Sequence, residues 1–387
     1  MLNCAICGQP QDKSLAEHIS QIHGMDLDTY EASHGRWYDE SINRALELEL
    51  RGARAHPNNN SLRVKFAGVQ AAVNSDVPAD ACLPLPEAYR IPEHGALAAD
   101  VAEAAIMLAR KRSMYIWGMP GSGKDALFHA WSSLTRTPAE IFQMEPGEDV
   151  RSWFYALEMG NEGAYWQEGT FLKALRDGYV SPISGRRMPM MILITDFDRA
   201  EKEQAEAMRL IMDSISGRVK GPMGVKYPVL PGTQIVVTAN SSGGGDSRGR
   251  CVSSNPIDAS ILDRFQRALE FHWMDWKDEG PVVKEKFPLL LSKAPTLFDQ
   301  VGNATAAIRT AIEKEELYTE FSHRAVCSWL GHAEDIVDVC GPAPDTLKRA
   351  FRVVADKMPD PETRSAIIQI IDPYLANGSV GKSPKKK

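Results

Sequence analysis

Two short stretches of this chain combine residue types at spacings that do chemistry. The first is GMPGSGKD at Gly118–Asp125, glycines spaced around a lysine. In the pattern G-x-x-x-x-G-K-[ST], a Gly-rich turn between a strand and a helix points backbone N–H groups at one place. The helix N-terminus adds positive potential, and the lysine neutralises β- and γ-phosphates. Gly118, Pro120, Gly121, Ser122, Gly123, Lys124, Asp125 and Ala126 are therefore candidate nucleotide-binding residues. The hydroxyl that normally closes the pattern, and that holds the magnesium ion of a bound nucleotide, is replaced by Asp125.

The second stretch carries Cys4, Cys7, His18 and His23 in the spacing Cys-x2-Cys-x10-His-x4-His. Two thiolates on a tight turn and two imidazoles about one helical turn apart close a tetrahedron around Zn2+, which orders a segment too short for its own core. Between residues 1 and 35 five acidic residues stand against Lys13 alone, so phosphate contacts to DNA are nearly absent. A protein-docking or structural finger is the favoured reading, with DNA binding the alternative.

The elements that must position these residues are legible as a change of pattern. After the finger (1–35), WYDESINRALELELRGA has helical spacing and a Pro-rich stretch from Val77 to Pro92 reads as a linker, giving a segment 36–84 of helix and linker. From 85 to 275 helices alternate with short apolar runs. SMYIW precedes the Gly-rich loop, DALFHAWSSL follows it as a helix, and MPMMILIT and TQIVVTAN supply further strands of a parallel sheet. From 276 to 372 helical spacing dominates, and the tail 373–387 is too polar to bury anything and is expected to be disordered. The expected fold class is α/β, a P-loop core with a parallel sheet and an α-helical lid, preceded by the finger.

Composition narrows the function classes. The 387 residues carry a net charge of −7, which argues against a protein that coats nucleic acid over its whole surface. No run of about 18 apolar residues and no signal-peptide pattern is present, so no membrane partner and a cytoplasmic location are expected. Six cysteines, four of them scattered, suit a reducing compartment.

The order GMPGSGKD, EGTFLKAL, ILITDFDRA, the hairpin-like SGRVKGPMGVKYPVLPGT, IVVTAN, ILDRFQ and FSHRAVCSW resembles the MoxR branch of the AAA+ ATPases. Within that branch it is most similar to the ATPase (small) subunit of aerobic cobaltochelatase, over about residues 84 to 372. The finger resembles the single-finger Ros/MucR type. The AAA+ resemblance implies ATP and Mg2+ as cofactors, a hexameric ring, and a protein partner carrying a von Willebrand A domain. It assigns Asn240 to the attacking water, Arg264 to a neighbouring subunit's γ-phosphate, with Arg267, Arg248 and Arg250 as rivals, and Arg324 to the lid sensor.

That family carries Asp-Glu-x-Asp at the end of its second motif strand. Aligning on Asp198-Arg199-Ala200 places Thr195 at the magnesium ligand and Asp196 at the catalytic carboxylate. Asp125 and Thr195 would then exchange a hydroxyl and a carboxylate beside one metal, since magnesium accepts either oxygen. The competing reading makes Asp196 the metal ligand and the protein a nucleotide-binding switch with little turnover. Three functions stay open: an ATP-driven motor that remodels a partner protein, the chelatase motor, and a scaffold or DNA-associated protein recruited through its finger.

Overall fold

The computed structural model describes residues 2–3, 10–11, 63–147, 149–160, 163–212, 218–220, 226–245, 254–358 and 360–375. The four zinc-ligand candidates, Arg248, Arg250 and the tail beyond residue 375 lie outside them. The chain divides into two compact units, Arg63–Glu148 with Met191–Ala205 and Ile235–Lys387, and Met1–Leu62 with Asp149–Met190 and Glu206–Gln234.

The first of these units opens with a hairpin, β1 (Arg63–Phe66) and β2 (Val69–Ala72), paired from Arg63↔Ala72 to Phe66↔Val69. Its two-residue turn, Ala67-Gly68, takes positive φ at both positions, the turn geometry whose twist suits a two-residue hairpin. The hairpin lies between the two readings made over 36–84: the stretch WYDESINRALELELRGA, expected to be helical, falls outside the described residues. Phe66 is fully buried, and Val77 and Leu83 from the Pro-rich stretch are buried as well.

The α/β core follows as α1 (Gly95–Ala109), β3 (Met114–Gly118), α2 (Lys124–Thr135), β4 (Ala139–Gln143), β5 (Met191–Thr195), β6 (Gln234–Ala239), α3 (Ala259–Leu262) and β7 (Arg267–Phe271). The five strands form one parallel sheet in the order β7-β3-β6-β5-β4. Register places Ile116 on β3 beside Thr238 on β6 and beside Leu269 on β7. Met191, Ile192, Leu193 and Ile194 are all at most 1% exposed, the continuous apolar run of a strand covered on both faces.

The C-terminal part is helical: α4 (Trp276–Lys286), α5 (Pro288–Lys293), α6 (Thr296–Glu313), α7 (His323–Cys340), α8 (Thr346–Ala350), α9 (Arg352–Ala355) and α10 (Pro361–Leu375). Its own core centres on Phe321, Trp329 and Phe351, with Trp329 edge-on to Phe351 at 4.9 Å. The α/β class, the parallel sheet and the helical C-terminal part are as expected from the sequence.

The second unit contains a hairpin of Tyr155–Gly160 and Gly163–Glu168, a helix Thr170–Arg176, and two short hairpins, Tyr179–Val180 with Arg187–Met188 and Arg218–Lys220 with Lys226–Pro228. The last is the hairpin expected from SGRVKGPMGVKYP. Leu2–Asn3 also pairs with Pro10–Gln11.

Candidate functional site

The Gly-rich loop joins β3 to α2, the strand and helix its chemistry requires. At its start a Cβ on Gly118 would stand 2.2 Å from the Phe271 carbonyl oxygen, so only glycine lets β7 pack against the mouth of the loop. Gly123 is the N-cap of α2 in the left-handed conformation, and Lys124 and Asp125 open the helix. Lys124 is buried, and its Nζ donates to the Gly118 carbonyl at 2.8 Å, the Met119 carbonyl at 3.2 Å and Asn240 Oδ1 at 3.2 Å. The loop lysine and the residue closing IVVTAN, 116 positions apart in sequence, therefore meet.

A cavity of about 820 Å3 opens in front of the loop. Pro120, Gly121, Gly123, Lys124, Asp125 and Ala126 line it from the loop and α2, Asp196 from the end of β5, Asn240 from the end of β6, and Arg324 from the first turn of α7. Asp196 takes a left-handed backbone (φ 54, ψ 37) at the turn out of β5. Such a conformation in a non-glycine residue costs free energy, is best tolerated by Asp and Asn, and clusters at functional sites.

Not every expected residue faces this cavity. Ser122 lines a second, adjacent cavity, and Gly118 contributes its carbonyl to Lys124. Arg264 lies outside both cavities, its guanidinium donating to the Ser260 carbonyl. Thr195, expected beside Asp125, is absent from the residues lining the cavity. Instead, Thr238 Oγ1 donates to Asp125 Oδ1 at 2.7 Å. The reason is strand order. β6 lies next to β3, which feeds the loop, whereas β5 is a second strand spacing of about 4.8 Å further off.

Sequence reading missed four polar residues that the cavity brings together with these: Arg199, Thr238, Glu320 and His323. Thr238 sits near the end of β6, two positions before Asn240, which directly follows the strand, so strand alternation was the signal available for it.

His323 stands between the two cavities and lines both. Its Nδ1 pairs with Glu279 Oε1 at 2.8 Å, and Cys327 Sγ lies 3.3 Å from its Nε2. Glu279 is fully buried on α4, and Arg309 on α6 meets its carboxylate with two N–H groups at 2.5 and 3.1 Å. Burial alone would pull the imidazole of His323 down; its hydrogen bonds to Cys327 and Glu279 outweigh this and lift it to about 9. Burial would likewise raise the Glu279 carboxyl, but His323 and Arg309 outweigh it and hold the carboxyl below its ordinary range.

The second cavity, about 150 Å3, is walled by Tyr89, Leu97, Val101, Phe271, Met274 and Val282. Burial pushes the Tyr89 phenol well above its ordinary range, so the ring stays neutral. Asp278 of α4 ties this wall to the lid by accepting the Glu93 and His94 backbone N–H groups at 3.0 and 2.8 Å. A polar, cation-rich cavity and a mostly apolar slot thus share the loop between them.

No protein-family model matches the chain, and no curated protein matches it. Among solved structures, a variant of RuvB from Thermotoga maritima is 14% identical with a TM-score of 0.45, over 69% of this chain and 72% of that one. The RuvB Holliday junction branch migration motor of the same organism is 14% identical with a TM-score of 0.42, over 72% of this chain and 74% of that one. At this level of overlap, the strand order and loop of the chain itself, rather than these likenesses, define its fold.

Proposed function

We propose that the chain is an ATP-binding and ATP-hydrolysing ring motor of the MoxR type of AAA+ protein, acting on a partner protein. One observation carries this reading: Lys124, Asp125, Asp196, Asn240 and Arg324, drawn from the loop, two strand ends and the lid, line one cavity at the end of a parallel sheet. Ligands of α/β proteins bind at the carboxyl ends of the strands, and a cavity with convergent polar groups there is the default binding site.

Each residue has a role in phosphoryl transfer. The loop amides and Lys124 hold the β- and γ-phosphates, and the apolar slot beside Tyr89 takes the base. Magnesium fits the oxygen donors of the cavity, with Asp125 as its protein-side carboxylate. Among the described residues no group of three His, Cys, Asp or Glu is placed to hold a metal, so the ion would bind together with the nucleotide's phosphates rather than in a protein cage. When bound, the ion neutralises charge on the phosphate oxygens. Asn240 orients the attacking water and Asp196 accepts its proton; Arg324 stabilises the charge on the transferring group.

Arg264, outside its own chain's cavities, serves the site of a neighbour, so the working form is a ring, on this reading a hexamer. Cys4, Cys7, His18 and His23 hold Zn2+ in a protein-docking or structural finger, and the partner that the motor acts on is a protein with a von Willebrand A domain. The setting is the cytoplasm.

The test is phosphate release from ATP with and without Mg2+, alongside nucleotide binding. Wild type turns over only with Mg2+, Lys124→Ala loses binding and turnover together, and Asp196→Asn keeps binding while its turnover falls by about 10²–10⁴. A wild-type protein that binds ATP tightly but does not hydrolyse it supports the switch reading instead. One that binds no nucleotide removes the proposal.

A further inference from the structure

A carboxylate at position 125 poses a problem that a hydroxyl does not. It is negative, forked and one torsion more mobile than serine, and it stands at the start of α2 beside the place where phosphates bind. Unrestrained, it has several staggered orientations to choose from, only some of which present an oxygen to a cation. The residue that restrains it lies on another element.

Thr238 is 2% exposed on β6 and β-branched, so its χ1 is stiff. An ionised carboxylate only accepts, so the Thr238 hydroxyl is the donor in the 2.7 Å contact to Asp125 Oδ1. One carboxylate oxygen is thereby fixed against the central sheet. Asp125 and Thr238 line the cavity together with Asp196.

We propose that Thr238 is a positioning residue for the metal-nucleotide complex, holding Asp125 so that this carboxylate does the work of the missing loop hydroxyl. The inference rests on the nucleotide-site reading above and adds to it the means by which an aspartate functions at this place. The hydroxyl and carboxylate that pair are Thr238 and Asp125, from β6 and α2, in place of the expected exchange between Asp125 and Thr195. A threonine that merely satisfied its own buried hydroxyl would have no bearing on the metal.

The experiment uses the full chain and a fluorescent ATP analogue, titrated with MgCl2 and, separately, in EDTA. Thr238→Val keeps the shape and removes the donor. It raises the Mg2+ concentration for half-maximal binding about tenfold, the effect of losing one hydrogen bond to a charged group. Binding in EDTA changes less than about twofold, since the Val change leaves the loop and Lys124 in place. Thr238→Ser restores the wild-type Mg2+ requirement, and Thr195→Val leaves it unchanged. In an Asp125→Ala background, Thr238→Val adds no further change, because the two residues act as one unit.

The inference is overturned if Thr238→Val leaves the Mg2+ requirement as it was, or weakens binding equally in EDTA, or adds its full effect without Asp125. Should Thr238→Val fail to fold by circular dichroism, Thr238→Cys, with a weaker donor of similar size, takes the same titration and is judged by the same outcomes. A wild-type chain that binds no nucleotide under either condition would instead remove the site reading on which the inference stands.

Discussion

At the scale of single residues, the cavity depends on groups whose charge is set by their neighbours. His323 is the clearest. Its folded value of about 9 lies above the ordinary 6.5, so the stability it contributes is fully present below about pH 6.5 and is lost as pH rises through about 9. We expect the melting temperature of wild type to fall between pH 6.5 and pH 9 more steeply than that of His323→Gln, the difference amounting to roughly 2–3 kcal/mol at most. Equal slopes for the two proteins in matched buffers would show that the imidazole carries no such charge. Little of this was legible beforehand. Lys124 and Asp125 stood out by the spacing of the Gly-rich motif, and Asn240 and Arg324 only through the order of motifs that carries the family resemblance. His323 gave no such signal, because its partner Glu279 is 44 positions away.

At the scale of elements, one buried carboxylate joins three helices. Glu279 on α4 meets Arg309 on α6 and His323 on α7, and all three pack at the wall of the apolar slot. Removing one partner of a buried pair leaves an uncompensated charge. Glu279→Gln should therefore lower stability by about 3–5 kcal/mol in urea unfolding, and lower it far less in a chain where Arg309 is already methionine. A similar loss in both backgrounds would contradict the pairing. Element existence was read more reliably than element limits. HRAVCSWLGHAEDIVDV was legible as α7 because its apolar positions keep helical spacing over 18 residues. Over TLKRAFRVVADKM the helical spacing is continuous, yet the segment forms two helices, Thr346–Ala350 and Arg352–Ala355. The hairpin β1–β2 went unread because the turn Ala67-Gly68 carries only one of the residues that usually mark a positive φ.

At the scale of the whole molecule, the proposed ring would leave the site of one chain incomplete: its own cavity gathers Lys124, Asp196, Asn240 and Arg324, whereas Arg264 lines neither cavity. Arg264→Ala should keep nucleotide affinity within about twofold and reduce turnover by about 10³. Mixing it with Lys124→Ala subunits should return part of the activity, since each supplies what the other lacks. If the mixture stays as inactive as its components, Arg264 does not act across subunits. A last consequence follows from the packing of the loop against the lid. A Cβ on Gly121 would come within 2.6 Å of the Ser322 Cβ, so the loop backbone lies flush against the first turn of α7. Two segments 200 positions apart then have no room to open separately. Their backbone amides should exchange with deuterium as one unit, and a bound nucleotide should slow Ser322 to Ala325 as much as it slows the loop itself.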